Sequence, residues 1–225
     1  MIFQILFMDA DDTIFDFAAA QKAAFYNTFE SQGLAITDEI YLLYNEINRS
    51  QWQKLERGET VKERLIYERF EELFERTGIK GDVVKTEDIY QYSLGNYAFY
   101  LPGAKEGMEI LSKKYDIFII TNGTAKTQKS RIKISGLDKY VKDVYVSEDV
   151  GYNKPDIRYY DYCLEKSGAK RENILCIGDS LTSDILGGIT AGIKTMWCNF
   201  KNEKTDVKKI DYVVYSWDDI LNILG

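Results

Sequence analysis

The stretch FMDADDTIFD, residues 7–16, places the carboxylates of Asp9, Asp11 and Asp12 directly after the apolar run ILFM (5–8). Aspartate is common in turns and at helix caps, so one interpretation is an ordinary turn. Clustered carboxylates also repel one another, and a bound cation would offset that repulsion. The second interpretation is therefore a cation site with one carboxylate free for chemistry. The rest of the sequence has to decide between the two.

Short apolar runs without polar alternation recur along the chain, as is typical of strands covered on both faces. They are ILFM (5–8), IFII (117–120), ILCI (174–177), TMWC (195–198) and YVVY (212–215). Helical segments lie between the later runs, at 103–114, 124–135, 156–167 and 182–190. Strands that alternate with helices predict an α/β fold with a Rossmann-like, doubly wound parallel sheet.

Residues 16–98 interrupt this alternation. They contain long amphipathic stretches without proline, each ending on or near a glycine, as helices often do. The last of them is TEDIYQYSLGNYAFY (86–100). We therefore predict an all-helical domain at 16–98, inserted into an α/β core formed by 1–15 and 99–225.

Composition excludes several classes of protein. The formal net charge of −7 argues against a nucleic-acid polymer as partner. The chain has no histidine, which rules out Ser-His and Cys-His catalytic pairs and imidazole zinc sites. Its cysteines, at 163, 176 and 198, lack C-x-x-C spacing and predict buried thiols in a reducing compartment.

The N-terminal sequence and the hydropathy indicate the compartment. The first residues lack a basic leader, and no apolar segment reaches membrane-spanning length. We expect a cytoplasmic protein with no membrane partner. The sequence leaves its oligomeric state, monomer or homodimer, open.

Polar groups follow three of the predicted strands, and ligands bind at the carboxyl ends of strands in open parallel sheets. The ends are DADDT (9–13), TNG (121–123) and GDSLTSD (178–184), and NKPD (153–156) places Lys154 before a helix start. Each alone is explained by a turn, a helix cap or a solvated lysine. Their joint occurrence in this order predicts one shared site.

The order D-x-D-x-T, T-N-G, K-P and G-D-x-x-x-x-D resembles the four motifs of the haloacid dehalogenase superfamily. The inserted helices resemble that superfamily's type-one cap, so the resemblance spans essentially the whole chain. DADDT departs from the commoner D-x-D-G-T by having Asp12 where glycine is usual. With W-x-x-L-E-x-G (52–58), this is similar to the pyrimidine 5'-nucleotidase subgroup, which acts on nucleoside 5'-monophosphates.

The chemistry gives the first two aspartates distinct roles. A carboxylate at a strand end can attack phosphorus and carry an aspartyl-phosphate, and we assign this role to Asp9. Two residues later, Asp11 can protonate the leaving oxygen and then take a proton from water, as a general acid and base. Asp12 either supports an ion from a distance or caps the next turn, and we favour the cap.

An anionic nucleophile that meets an anionic phosphate needs positive charge, which Mg²⁺ would supply. The expected ligands are an Asp9 oxygen, the Asp11 main-chain carbonyl, Asp179 and Asp184, the last directly or through water. The resemblance implies that Lys154 neutralises the phosphoryl oxygens and that the Thr121 hydroxyl and the Asn122 amide bind them. Trp52 and Lys54, in the predicted cap, are candidates for substrate selection.

The sequence thus predicts a Mg²⁺-dependent phosphomonoesterase acting on a small phosphorylated metabolite, foremost a pyrimidine nucleoside monophosphate. A phosphatase or phosphomutase for small sugar phosphates or phosphoglycolate is an alternative, because fold does not settle substrate. A dehalogenase is disfavoured, since its chemistry has no leaving oxygen for Asp11 to protonate. A catalytically silent ligand-binding protein on the same scaffold is the rival from another class.

Overall fold

The computed structural model describes residues 3–225, and the apolar runs form strands in it. The strands are β1 (Ile5–Met8), β2 (Asp116–Thr121), β3 (Asp143–Val146), β4 (Ile174–Gly178), β5 (Lys194–Cys198) and β6 (Tyr212–Val214). They form one sheet in the order β3-β2-β1-β4-β5-β6, and every neighbouring pair is parallel. The direction of strand addition reverses between β1 and β4. This confirms the doubly wound α/β fold and places its switch point beside β1.

Strand β1 shows why the apolar runs lack alternation. Leu6 and Met8 belong to the hydrophobic cluster on one face of the sheet, whereas Ile5 and Phe7 belong to the cluster on the other. Both faces are covered, so every position of the strand is apolar. Strand β3 did not stand out in the sequence because it lies at the sheet edge, where Asp143 is exposed.

Helices flank the sheet. They are α5 (Ala104–Leu111), α6 (Ala125–Ser135), α7 (Ser147–Val150), α8 (Ile157–Ser167), α9 (Gly187–Thr190) and α10 (Trp217–Leu224), after α1 to α4, which are described below. The segment predicted as one helix at 182–190 is instead a π-helical segment, Leu181–Leu186, followed by α9. Helices α5 and α10 contribute to one hydrophobic cluster and α8 to the other.

The inserted helices form a separate compact unit, residues 18–97, whereas the prediction placed this domain at 16–98. Its elements are α1 (Phe17–Ser31), α2 (Asp38–Glu56), α3 (Lys62–Thr77) and α4 (Val83–Leu94). Helix α4 begins earlier than the predicted stretch because the Asp82 side chain caps it, accepting from the Lys85 N–H at 3.0 Å.

Aromatic rings fill the centre of this helical unit. The rings of Tyr44 and Phe70 stack with centroids 5.2 Å apart, and Tyr90 meets Phe70 edge-on at 5.5 Å. A buried ion pair between Arg69 and Glu87, at 2.7 Å, crosses the same core. Within the described residues, no helix is long and apolar enough to cross a membrane.

Candidate active site

Three carboxylates meet at the switch point of the sheet. Asp9 follows β1, and its backbone N–H donates to the Ile177 carbonyl of β4 at 2.9 Å. Asp179 follows β4, and Asp184 lies in the π-helical segment that comes next. One oxygen from each of the three carboxylates lies within 4.8 Å of the other two. The strand ends therefore bring together residues that are up to 175 positions apart in the chain.

A glycine makes the approach of Asp184 possible. A Cβ atom added at Gly178 would lie 2.3 Å from the Asp184 carboxyl group, so any larger residue would displace it. The Ser180 backbone N–H donates to Asp184 Oδ2 at 3.1 Å and fixes the carboxylate from the other side. The G-D-S sequence thus shapes the place that Asp184 occupies.

Lys154 lies between two of these carboxylates. Its Nζ donates to Asp9 Oδ1 at 2.6 Å, to Asp184 Oδ1 at 2.6 Å and to the Ile120 carbonyl at 2.9 Å. An ammonium group has three hydrogens, so these three acceptors satisfy it completely. The side chain is 1% exposed, which makes it a fixed positive charge inside the site rather than a solvated lysine.

Burial and charge shift the pKa values of the cluster. Burial raises the pKa of the Asp9 carboxyl to about 8 against the lowering effect of Lys154, with the charges of Asp184 and Asp11 adding to the rise. Burial, together with Asp9 and Asp184, also raises the pKa of Asp179 well above its usual range. Burial would lower the pKa of Lys154, but Asp184 and Asp9 raise it well above its usual range.

The residues present fit a divalent cation. Three hard carboxylate oxygens converge, and the single ammonium group contacts only two of them directly. Mg²⁺ binds few carboxylates and keeps part of its water shell. Asp9, Asp179 and Asp184 would hold such an ion. The Asp11 main-chain carbonyl, predicted as a further ligand, stays a prediction.

Asn122 anchors the backbone of the lysine loop. Its Nδ2 donates to the Lys154 carbonyl at 2.9 Å, and its Oδ1 accepts from the Lys154 N–H at 2.9 Å. The side chain therefore positions Lys154. The phosphate contact that the sequence predicted for the Asn122 amide stays a prediction.

Thr121, the last residue of β2, and Asp11 share a neighbour that the sequence did not reveal. Gln128 Nε2 donates to Thr121 Oγ1 at 2.8 Å and to Asp11 Oδ2 at 2.7 Å. Arg131 Nη1 donates to Asp11 Oδ1 at 2.5 Å. Both residues lie on α6, and their spacing of three placed them on one helix face, but nothing in the sequence showed that this face is buried.

Asp12 has contacts of its own. Its Oδ1 accepts from the N–H of Phe17, the first residue of α1, at 3.2 Å, which is a capping contact. Its Oδ2 accepts from Lys201 Nζ at 2.6 Å. Nearby, Trp197 Nε1 donates to the Asp179 carbonyl at 2.8 Å. The sequence singled out neither Lys201 nor Trp197 as a neighbour of the site.

Trp52 and Lys54 lie on α2 in the helical unit. The Trp52 indole is half-buried and donates to Asn48 Oδ1 at 3.1 Å, and Lys54 is half-buried in the last turn. Their part in substrate selection stays a prediction.

Known proteins match this chain along essentially its whole length. A family model described as haloacid dehalogenase-like hydrolase matches residues 5–198. The HAD-hydrolase YfnB of Bacillus subtilis is 35% identical, over 99% of this chain and 96% of that protein. A crystal structure of YfnB, bound to magnesium, superposes with a TM-score of 0.91 and 33% identity, over 100% of this chain and 99% of that one.

Two further relatives are named pyrimidine 5'-nucleotidases. PynA of Streptococcus pneumoniae is 34% identical over 100% of this chain and 96% of its own length. YjjG of Escherichia coli is 32% identical over 86% of this chain and 85% of its own length.

Proposed function

The chain belongs to the haloacid dehalogenase-like hydrolase family, and from this premise we propose that it is a Mg²⁺-dependent phosphomonoesterase for pyrimidine nucleoside 5'-monophosphates. The observation that carries the proposal is the Lys154 ammonium between Asp9 and Asp184, beside Asp179. This arrangement offers a nucleophilic carboxylate, a fixed positive charge and a cation site, all at the carboxyl-terminal edge of the sheet. A bound Mg²⁺ would favour the ionised form of Asp9 despite its burial and would stabilise negative charge on the phosphoryl group.

In the first step, a carboxylate oxygen of Asp9 attacks phosphorus. The new O–P bond forms as the bond to the leaving oxygen breaks, and Asp11 donates a proton to that oxygen. Because Lys154 holds Asp9 Oδ1, we assign the attack to Oδ2. Lys154 remains charged throughout and stabilises the negative charge that develops on the phosphoryl group.

In the second step, water attacks the phosphorus of the aspartyl-phosphate. Asp11, now a carboxylate, takes the proton from that water, and the bond between the Asp9 oxygen and phosphorus breaks. Inorganic phosphate is released and both aspartates return to their starting states. The Thr121 hydroxyl accepts from Gln128 and from the Gly123 N–H at 3.1 Å, so its own proton is directed to a further acceptor, which we assign as the phosphate.

The choice of substrate class rests on the relatives. PynA and YjjG are both named pyrimidine 5'-nucleotidases, and the first aligns over the whole chain. The resemblance of DADDT and W-x-x-L-E-x-G to that subgroup supports the same class. The buried free thiols of Cys163, Cys176 and Cys198 support a cytoplasmic location.

The test is phosphate release from nucleoside monophosphates and sugar phosphates, measured with Mg²⁺ and with EDTA. We expect turnover that requires Mg²⁺ and is fastest on dUMP, UMP or dTMP. Asp9→Asn should abolish it. Asp116→Asn, which removes a surface ion pair with Lys142, serves as the control and should retain it.

Other outcomes separate the alternatives. Fastest turnover on sugar phosphates would keep the mechanism and replace the substrate, and an isomerised product without phosphate release would identify a phosphomutase. Near-normal turnover by Asp9→Asn would contradict the mechanism. No activity on any ester would indicate a ligand-binding protein that retains the residues of an enzyme.

A further inference from the structure

Both oxygens of the Asp11 carboxylate are held by side chains of α6. Arg131 Nη1 binds Oδ1 at 2.5 Å and Gln128 Nε2 binds Oδ2 at 2.7 Å. The Arg131 side chain is 1% exposed and the Asp11 side chain is 26% exposed. The arginine is therefore buried, whereas the Asp11 carboxylate is accessible to a ligand. A general acid that acts on a bound substrate needs this combination of access and fixed orientation.

One nitrogen connects Asp11 to the proposed phosphate site. Gln128 Nε2 carries two hydrogens, and its two acceptors are Asp11 Oδ2 and Thr121 Oγ1. The carboxylate and the hydroxyl therefore flank a single amide group. Gln128 sets the separation between the proton donor and a phosphate contact, because neither acceptor can move without losing a hydrogen bond to it.

Packing fixes the two α6 side chains in turn. Arg131 Nη1 also donates to Gln128 Oε1 at 3.0 Å, and its guanidinium lies 5.1 Å from the centre of the Phe15 ring. Gln128 fills the space beside Gly123, where an added Cβ would meet its Cγ at 2.6 Å. These contacts restrict both side chains to one arrangement.

We infer that Gln128 and Arg131 are positioning residues that aim the Asp11 carboxyl group at the leaving oxygen of the substrate. The inference rests on the proposed phosphomonoesterase function and extends it to residues outside the four motifs. It concerns geometry, so the variants that test it should change geometry and keep charge.

Two substitutions meet that requirement. Arg131→Lys keeps the positive charge but loses the planar guanidinium, and Gln128→Met keeps the length of the side chain but removes its donors. Lys129→Met is the matched control on the same helix, because it removes an exposed ion pair with Asp149 at 2.7 Å and leaves Asp11 alone. Thermal unfolding shows whether each variant is folded. If Arg131→Lys does not fold, Gln128→Met alone tests the inference.

The assay compares phenyl phosphate with p-nitrophenyl phosphate in the presence of Mg²⁺. Both esters have a leaving group built on a benzene ring. Phenolate, the leaving group of phenyl phosphate, has a conjugate acid with a pKa of about 10, as in tyrosine. Its departure therefore depends on a proton from a general acid far more than the departure of nitrophenolate does. General acid catalysis contributes about 10²- to 10⁴-fold, so we expect kcat/KM for phenyl phosphate to fall by about tenfold or more in both variants. The value for p-nitrophenyl phosphate should change much less, and Lys129→Met should leave the ratio unchanged.

A second measurement shows whether Arg131 acts through Asp11. In an Asp11→Asn background, Arg131→Lys should cause no further loss with phenyl phosphate, since the group that it positions is gone. Equal losses on the two esters, or the same loss in both backgrounds, would overturn the inference. Failure of the proposed function would look different, because the unmodified protein would then release phosphate from no ester, nucleoside monophosphates included.

Discussion

Asp12 shows how a single residue can replace glycine in a strained turn. Its φ of 57° lies in the left-handed region, which aspartate tolerates better than most residues. Its carboxylate then gains two partners that glycine would lack, the Phe17 N–H and Lys201. The backbone conformation explains why D-x-D-G-T is the commoner sequence, and the side-chain contacts explain how aspartate is accommodated.

Two substitutions of Asp12 should differ in stability. Asp12→Ala loses both contacts and keeps the strain, whereas Asp12→Gly loses the contacts but removes the strain. Because a left-handed conformation costs most residues about 1–2 kcal/mol, we expect Asp12→Ala to be less stable than Asp12→Gly by about that amount. Urea unfolding of the two variants measures the difference. Equal stability would show that the backbone at this position relaxes.

Lys154 is the residue on which the charge balance of the site depends. Lys154→Met would leave the carboxylates of Asp9 and Asp184 without their shared partner, and breaking a buried pair in this way costs about 3–5 kcal/mol. We expect a loss of that size in the free energy of unfolding, together with loss of turnover. Lys129→Met, which breaks an exposed pair, should cost less than about 1 kcal/mol. Similar costs for the two variants would contradict the account.

At the scale of elements, the strands that carry the site and the helix at 124–135 could be predicted, but the face of that helix that is buried beside Asp11 could not. Asp9 and Asp179 each follow a continuous apolar run, and parallel strands bring their carboxyl ends to one edge. The positions of Gln128 and Arg131 depend on how α6 is rotated about its axis. That rotation is set by packing against the sheet, which leaves no trace in a helix whose sequence is mostly polar.

The sequence predicted the turn after β4 only in part. The motif G-D-x-x-x-x-D marked Asp179 and Asp184, but a regular helix was predicted where the chain forms the π-helical segment Leu181–Leu186. Its i to i+5 pattern includes the bond from the Ile185 N–H to the Ser180 carbonyl, at 3.1 Å. Asp184 lies in this wider turn. Helix propensities describe regular helices and therefore do not predict a π-helical turn.

This geometry makes Gly178 and Gly188 a matched pair for substitution by alanine. At Gly178 an added Cβ would strike the Asp184 carboxyl group, whereas at Gly188 it would meet the Thr195 methyl group at 2.8 Å. Overpacking costs about 1–3 kcal/mol, so both variants should lose stability. Only Gly178→Ala should weaken Mn²⁺ binding, measured by titration calorimetry with Mn²⁺ in place of Mg²⁺. Equal affinities would show that Asp184 does not contribute to the metal site.

At the scale of the whole molecule, folding keeps many ionisable groups in their protonated form. Burial raises the pKa of the thiols of Cys163, Cys176 and Cys198. Burial likewise raises the pKa of Tyr90 to about 12 and holds that of Tyr44, Tyr159 and Tyr160 well above the usual range. In the unfolded chain these groups release their protons near pH 8.5 for cysteine and near pH 10 for tyrosine. Their contribution to stability is therefore fully present below about pH 8.5 and is lost progressively as the pH rises.

We accordingly expect the free energy of unfolding to fall between about pH 8.5 and pH 10.5, and to fall more steeply once the tyrosines of the unfolded chain ionise. Each group that ionises only in the unfolded chain adds about 1.4 kcal/mol per pH unit to the slope.

Tyr159→Phe should reduce the slope above pH 10, at the cost of the hydrogen bond from the Tyr159 hydroxyl to the Tyr145 carbonyl at 2.6 Å. Tyr92→Phe, at a position 68% exposed, is the control and should leave the slope as it is. Urea unfolding in sealed, reducing buffers across this range measures both. A flat or rising stability would mean that the buried hydroxyls and thiols ionise as readily in the folded protein as in the unfolded chain.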